Sequence, residues 1–279
     1  PGKYIEMEKI EFYKMSGTGN DFILIDNRDE KVPDKEMRHI AQRACRRRDS
    51  VGADGMIYII NSDKYDFKWR FFNSDGSEAE MCGNGSRCAA RFAILNGIAG
   101  EHMTFETIAG LVSADVSGRS VKVLMPTPKG LKKDINIPLE EGWEAIGFVN
   151  TGVPHVVVHV KEIKNTPVFK QGRVIRYHQM FQPSGTNANF MSLKAKDHIY
   201  VRTYERGVEN ETLACGTGSI ASSLIANVRG LVNSPVTVTT SGGEELKVHF
   251  EKKGTDFSRV WLEGGTSIIY KGELHEEAL

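Results

Sequence analysis

The sequence predicts an α/β protein made of two homologous halves, each a sheet wrapped around a central helix. Three observations lead there: an internal repeat at one fixed offset, strand-like runs on both sides of a single helix in each half, and a helix that is small and apolar on more than one face.

The repeat has an offset of 133 residues. Thr18-Gly19, followed by the apolar run FILI, returns as Thr151-Gly152, followed by PHVVV. Gly52 returns as Gly185, each leading into an apolar run, MIYII and FMSL. Cys82-Gly83-x-Gly85-Ser86 returns as Cys215-Gly216-x-Gly218-Ser219, and Thr107-x-x-Gly110 as Thr240-x-x-Gly243. Four matches in one order at one spacing indicate duplication, and a fixed period of this kind decides the architecture before any motif is read. The turn-rich MPTPKG stretch, Met125 to Gly130, is the expected boundary. The halves are therefore expected over residues 1–126 and 127–264, with a C-terminal strand in 265–279 completing the first.

In chain order, EKIEFYKM, FILID, MIYII and KWRFF read as strands in the first half. IYVRTY, VTVTT, LKVHF and RVWLEG do so in the second. DKEMRHIAQRACRRR has helical periodicity, with Asp34 at the expected cap and the run of Arg43, Arg46, Arg47 and Arg48 expected as a solvated end. SRCAARFAIL after Cys82 and SIASSLIANV after Cys215 combine Ala, Ser and branched residues on several faces. A helix apolar all round is a buried one.

Composition narrows the function. The 279 residues contain 36 Lys or Arg and 36 Asp or Glu, so the net charge is zero. A nucleic-acid or anionic-membrane partner would need a basic surplus, and neither is expected. No apolar run reaches the roughly 18 residues of a membrane span, and four cysteines are too sparse for a disulfide scaffold. A cytoplasmic, reduced protein is the expectation. The opening PGKYIE suggests a processed or added end, with Met7 as the expected natural start.

The chemistry sits in two cysteines. Each central helix is expected to begin at a Cys-Gly-x-Gly-Ser turn, where N–H groups lack intrahelical partners and the dipole is positive. Such a place favours a thiolate, so the thiol pKa should fall from about 8.5 toward neutrality. The glycines let the backbone approach a carboxylate. If the halves pack about a pseudo-twofold axis, two thiols flank one substrate carbon: one removes its proton and the other returns one to the opposite face. That is a two-base racemase or epimerase, needing no cofactor and no metal. Cys45 and Cys88 lack such a setting and are expected in the core. His155 and His159 share a face of an extended run but lie too far apart to share an ion. SGTGND and CGTGS lack the remaining residues of nucleotide-binding loops.

With those residues in view, the sequence resembles the diaminopimelate epimerases. The likeness runs through SGTGNDF at Ser16–Phe22, FFNSDGSEAEMCGNGSRC at Phe71–Cys88, TGVPH at Thr151–His155, TNANF at Thr186–Phe190 and YERGVENETLACGTGS at Tyr204–Ser219. It implies an α/β (α+β) fold of two pseudo-symmetric halves, each a curled, mostly antiparallel sheet or barrel around a central helix. It also implies interconversion of LL- and meso-2,6-diaminopimelate in lysine and peptidoglycan-precursor synthesis, without a cofactor, by a homodimer. In the usual direction Cys82 is the implied donor and Cys215 the acceptor. Gly83, Asn84, Gly216 and Thr217 match positions that bind the reacting carboxylate; Asn20, Asn73, Asn187, Glu205 and Arg206 match other substrate-binding positions. His155 and Glu205 match residues that tune the thiols, and Tyr270 matches a tyrosine of the dimer interface. Gly55 and Val153 stand where some members carry Gln and Asn, so no side-chain contact to substrate is expected from either.

The competing reading is a two-thiol racemase of another amino acid on the same fold; Arg206 with Asn73 and Asn187, implying a second amino-acid head group, argues against it. A thiol hydrolase or redox protein would want a partner base or a C-x-x-C pair, and neither is visible. A binding module would not need two matched cysteines.

Overall fold

The computed structural model describes residues 9–139 and 143–279; Met7 lies outside them. The chain forms two compact units, one comprising the chain up to Val123 together with Gly265–Leu279, the other Leu124–Gly264. The fold class is the expected one, a mixed α/β chain with the same element pattern in both units. Among the described residues no helix is long and apolar enough to cross a membrane.

The first unit runs β1 (Ile10–Gly17), β2 (Asn20–Asp26), α1 (Asp34–Ala44), β3 (Gly55–Ile60), β4 (Phe67–Asn73), α2 (Gly83–Leu95), β5 (His102–Thr107), β6 (Gly110–Ser117) and β7 (Ser120–Leu124). The second runs β8 (Lys129–Lys132), β9 (Glu144–Asn150), β10 (Pro154–His159), α3 (Val168–Arg176), β11 (Asn187–Ala195), β12 (His198–Glu205), β13 (Asn210–Thr212), α4 (Gly216–Val228), β14 (Val236–Thr239) and β15 (Glu245–Lys253). The long last strand, β16 (Asp256–Leu274), serves both units.

Strand directions repeat along with the sequence. In the first unit β1/β2 is antiparallel, β2/β3 parallel, β3/β4 antiparallel, β4/β5 parallel, and β5/β6 and β6/β7 antiparallel. The series β9/β10, β10/β11, β11/β12, β12/β14, β14/β15 and β15/β16 repeats those directions one for one. A parallel pair needs a crossover, and each of the four contains a helix. α1 and α3 cross between the first parallel pairs, α2 and α4 between the second. In the first unit the Thr266–Leu274 part of β16 pairs with β1. Thr266 N donates to Arg119 O at the β6–β7 turn, so the strands close around α2.

Burial follows from this layering. α2 touches β1, β2, β3 and β6, and α4 touches β9, β10, β11, β12, β14 and β15. The other sheet face is covered by α1 and α3. Met37, Ile40, Ala41 and Ala44 of α1 pack on Ile23, Ile25, Met56 and Tyr58, while Val168 and Ile175 of α3 pack on Val156, Val158, Ala188 and Phe190. With both faces covered, β2, β3 and β10 are runs of consecutive buried residues rather than alternating ones. Each fully buried Phe, Ile or Leu side chain contributes about 1.5–3 kcal/mol.

Two details differ from expectation. α1 is capped by Pro33 with no side-chain bond, so Asp34 is its first helical residue, favourable to the dipole and paired with Arg70 at 3.2 Å. α3 had no sequence signal, because Gly172 interrupts it. The reason for that glycine is contact: a Cβ there would lie 2.3 Å from the Cβ of Tyr204.

The start of α2 docks just as tightly on β1. A Cβ on Gly17 would come within 2.9 Å of Asn84 O and 3.0 Å of Cys88 Sγ. Gly17→Ala should therefore destabilise by about 1–3 kcal/mol, as overpacking does. An unchanged urea midpoint would refute the close approach.

Candidate active site

Each central helix is capped by a cysteine. Cys82 and Cys215 both have extended backbone, φ −146° and −126°, and each Sγ accepts from the N–H three residues on, Gly85 and Gly218, at 3.4 Å. A cap normally carries a hydroxyl or carboxylate oxygen; thiol sulfur is a weak acceptor. The choice of cysteine sacrifices capping strength for ionisable sulfur, and the cap bond strengthens when the sulfur becomes a thiolate. The first intrahelical bonds, Ser86 N to Cys82 O at 2.8 Å and Ser219 N to Cys215 O at 2.9 Å, leave the N–H groups of Gly83, Asn84, Gly216 and Thr217 ahead of them. A Cβ on Gly83 would meet nothing within 4 Å. Both thiols are half-buried, whereas Cys45 and Cys88 are core residues as expected.

In the first unit the amides beside Cys82 are held by a chain of side chains. The buried Arg87 donates to Asn84 Oδ1 and to Thr18 Oγ1, each at 2.7 Å. Asn84 Nδ2 donates to Asn20 Oδ1 at 2.7 Å, and Asn20 Nδ2 to Asp54 Oδ2 at 2.9 Å. Because the chain starts at a pure donor and ends at a pure acceptor, both amide orientations are determined. Asp54 is held in turn by Arg47 at 2.8 Å, which also grips Asp21 at 2.6 Å, and Lys14 adds a bond to Asp21 at 2.8 Å. Burial alone would raise the Asp21 carboxyl, but the hydrogen bonds from Arg47 and Lys14 hold it at about 2. Arg47 is thus a support of this chain, not the freely solvated residue its basic run suggested. Asn73 lies apart from the chain at the end of β4, exposed, donating to Ser77 Oγ at 3.0 Å.

The second unit assembles its residues differently. Asn187 is buried; its Nδ2 donates to Pro154 O at 3.0 Å and its Oδ1 accepts from Arg206 N at 2.7 Å. It ties the ends of three strands together and sets the backbone of Arg206, whose Nη1 reaches Ser184 O at 2.8 Å. Glu205 ends β12, takes a bond from Thr212 Oγ1 at 3.0 Å, and has its carboxyl raised by burial. Thr151 Oγ1 donates to Thr217 O at 3.0 Å, clamping the first turn of α4. His155 is fully buried on β10, and burial pushes its imidazole down to about 3, so it is neutral at physiological pH.

One expectation is overturned here. The Cys215 thiol is not lowered toward neutrality; it is pushed up to about 12. Burial is the largest cause, and the Glu205 carboxylate adds to it. Hydrogen bonds from the Thr217 hydroxyl and the N–H groups of Gly218 and Thr217 pull the other way without prevailing. Loss of water outweighs a helix terminus, whose effect is a fraction of a charge.

Gly55 and Val153 offer no side-chain amide, and the reason at Gly55 is steric. A Cβ there would lie 2.5 Å from the Phe71 ring and 2.8 Å from Phe72 O. Tyr270, on β16, is 43% exposed, its edge against Phe12 at 5.8 Å between centroids. Sequence reasoning passed over Asp54, Arg87, Thr151, Thr212, Asn189 and Thr203. The first two had a signal, since a charged residue inside a Gly-rich or apolar motif must be partnered when buried.

A family model described as diaminopimelate epimerase matches residues 12–130 and 147–265. The chain belongs to the diaminopimelate epimerase family. The diaminopimelate epimerase of Aquifex aeolicus is 49% identical, the match covering 97% of this chain and 99% of that protein. The one from Archaeoglobus fulgidus is 43% identical, over 95% and 96%. Among solved structures, a PhzF-family phenazine biosynthesis protein from Bacillus anthracis has a TM-score of 0.71 at 16% identity, covering 96% of this chain and 100% of that one. A probable proline racemase from Agrobacterium radiobacter has 0.64 at 16%, over 96% and 93%. At such identities these two speak for the fold alone. The two stretches matched by the family model carry the two repeated halves.

The raised Cys215 thiol makes a direct prediction. In the substrate-free protein at about pH 8, iodoacetamide should label Cys215 at least about a hundredfold more slowly than a free thiol, because the thiolate reacts. Glu205→Gln should speed that labelling. Peptide mass spectrometry reads both, and labelling of the wild type at the free-thiol rate would contradict the burial argument.

Proposed function

We propose that this chain interconverts LL- and meso-2,6-diaminopimelate by a two-base exchange at one α-carbon, with Cys82 and Cys215 as the bases. One observation carries the reading: in a member of this family, both repeated halves cap their central helix with a cysteine in the same geometry. One sulfur, as thiolate, takes the α-hydrogen from one face, and the other, as thiol, protonates the opposite face. The carbon–hydrogen bond broken and the one formed balance, the two sulfurs end with exchanged protonation states, and no cofactor takes part.

The residues around the sulfurs suit that chemistry. N–H groups of Gly83, Asn84, Gly216 and Thr217 at two helix starts stabilise a carboxylate whose charge grows as the carbanion forms. Arg206 offers a forked donor to a distal carboxylate, and Glu205, Asn20, Asn73 and Asn187 offer acceptors to an ammonium. Cys215 rests as a thiol; a substrate ammonium supplies the positive charge that favours its ionisation. In the LL-to-meso direction Cys82 then donates and Cys215 accepts, with His155 and Glu205 setting the acceptor's ionisation. The same reading makes the chain a cytoplasmic enzyme of lysine and peptidoglycan-precursor synthesis and a homodimer using the face that bears Tyr270.

Incubation of LL-diaminopimelate with the protein should yield the meso isomer, seen by chiral chromatography. Cys82→Ala and Cys215→Ala should each lower turnover by about 10²–10⁴-fold or more, the scale of lost general acid–base catalysis. Cys88→Ala should leave it of the same order. Conversion of another amino acid in preference to diaminopimelate would favour the related racemase reading, and full turnover without either thiol would end the two-base account.

A further inference from the structure

Behind Cys215 lie two buried polar residues, Asn189 and Thr203, that none of the roles above uses. Asn189, on β11, is fully buried, and its amide is completely engaged. Nδ2 donates to Val156 O at 2.9 Å and meets His155 Nδ1 at 3.1 Å; Oδ1 accepts from Thr203 Oγ1 at 2.9 Å. This cluster is pressed against the start of α4. A Cβ placed on Gly218 would lie 2.3 Å from Asn189 Oδ1, 3.1 Å from Thr203 Oγ1 and 3.2 Å from Cys215 Sγ. Only a glycine admits the amide so near the capping sulfur.

The hydrogen-bond logic has one solution. A carbonyl oxygen only accepts, so the atom facing Val156 O is the NH₂ group, and the same group faces His155 Nδ1. Nδ1 must then be the acceptor, which leaves the ring's proton on Nε2. A second proton on Nδ1 would set N–H against N–H in a buried place. The Nε2 atom is itself buried with no hydrogen-bond partner. A buried donor left unsatisfied costs about 1–3 kcal/mol. A fold that retains one in this cluster gains when an acceptor arrives.

We propose that Asn189 is a positioning residue of the reaction: it locks His155 as the neutral Nε2–H tautomer, so this histidine serves the loaded site as a hydrogen-bond donor to an anion and not as a proton acceptor. Burial and the neighbouring Arg206 charge, which both disfavour the imidazolium, act in the same sense. Thr203 completes the device by holding the amide's oxygen side. The role in the reaction rests on the epimerase reading of the site; the tautomer rests only on the hydrogen bonds.

Long-range proton–nitrogen NMR of uniformly ¹⁵N-labelled protein tests it, with His155→Gln identifying the signals among the eight histidines. The His155 ring should show a protonated Nε2 and a bare Nδ1, unchanged from about pH 8 down to about pH 5, across which an ordinary histidine titrates. A proton on Nδ1, or titration in that window, would overturn the proposal. Asn189→Asp puts an acceptor opposite Nδ1, so the proton should move there and kcat should fall roughly 10–100-fold, as when other orienting groups are lost. If the proton moves while kcat and KM stay at wild-type values, the positioning role fails though the tautomer stands. Absence of diaminopimelate epimerisation in the wild type would remove the reaction assigned to the site and leave the nitrogen spectrum unaffected.

Discussion

Everything in each unit converges on one contact, the 3.4 Å approach of a glycine N–H to the sulfur that caps the central helix. It requires a helix that starts at a cysteine and a glycine three residues on. It also requires a sheet able to receive that turn without a side chain in the way. Gly17 and Gly218 meet the last requirement, in one case against β1 and in the other against Asn189 and Thr203. In the proposed reaction the same contact carries the chemistry, because a poor cap in the thiol state becomes a good one in the thiolate state. Ionising the sulfur and tightening the helix start are one event.

Two opposing effects act on that sulfur, and their magnitudes decide its resting state. A helix terminus offers a fractional positive charge, whereas burial removes the hydration of a full negative one. At Cys215 burial prevails, and Glu205 adds to it. His155, in the same unit, is kept neutral for the same reason. The second unit thus surrounds its sulfur with suppressed charges. The first unit surrounds Cys82 with formal ones, a buried guanidinium at one end of an amide chain and a clamped carboxylate at the other. Two copies of one backbone plan have become electrostatically different, a difference that the proposed two-base exchange, with its sulfurs in opposite protonation states, can use.

Much of this was legible in the sequence because it is written as spacing. The offset of 133 residues appears again in the pairing directions, and the Cys-Gly-x-Gly-Ser turns start both buried helices. What escaped depends on contacts distant in sequence. α3 was missed because Gly172 looks like a break until Tyr204 is laid against it. Arg47 looked solvated because Asp21 lies 26 residues away. The thiol shift at Cys215 was misjudged because a helix start can be inferred from local residues, whereas burial depends on the whole unit. Asn189 and Thr203 carry no pattern of their own; they are ordinary strand residues until the turn of α4 is placed over them.

The central claim, that two different sulfurs serve opposite faces of one carbon, is tested most directly by following isotope at low conversion. With LL-diaminopimelate in deuterated water, the meso product should carry deuterium at the inverted carbon from the first turnovers, while recovered LL substrate carries none. Product that retains its original hydrogen, or substrate that gains deuterium ahead of product, would contradict the account, since either requires one base to do both steps.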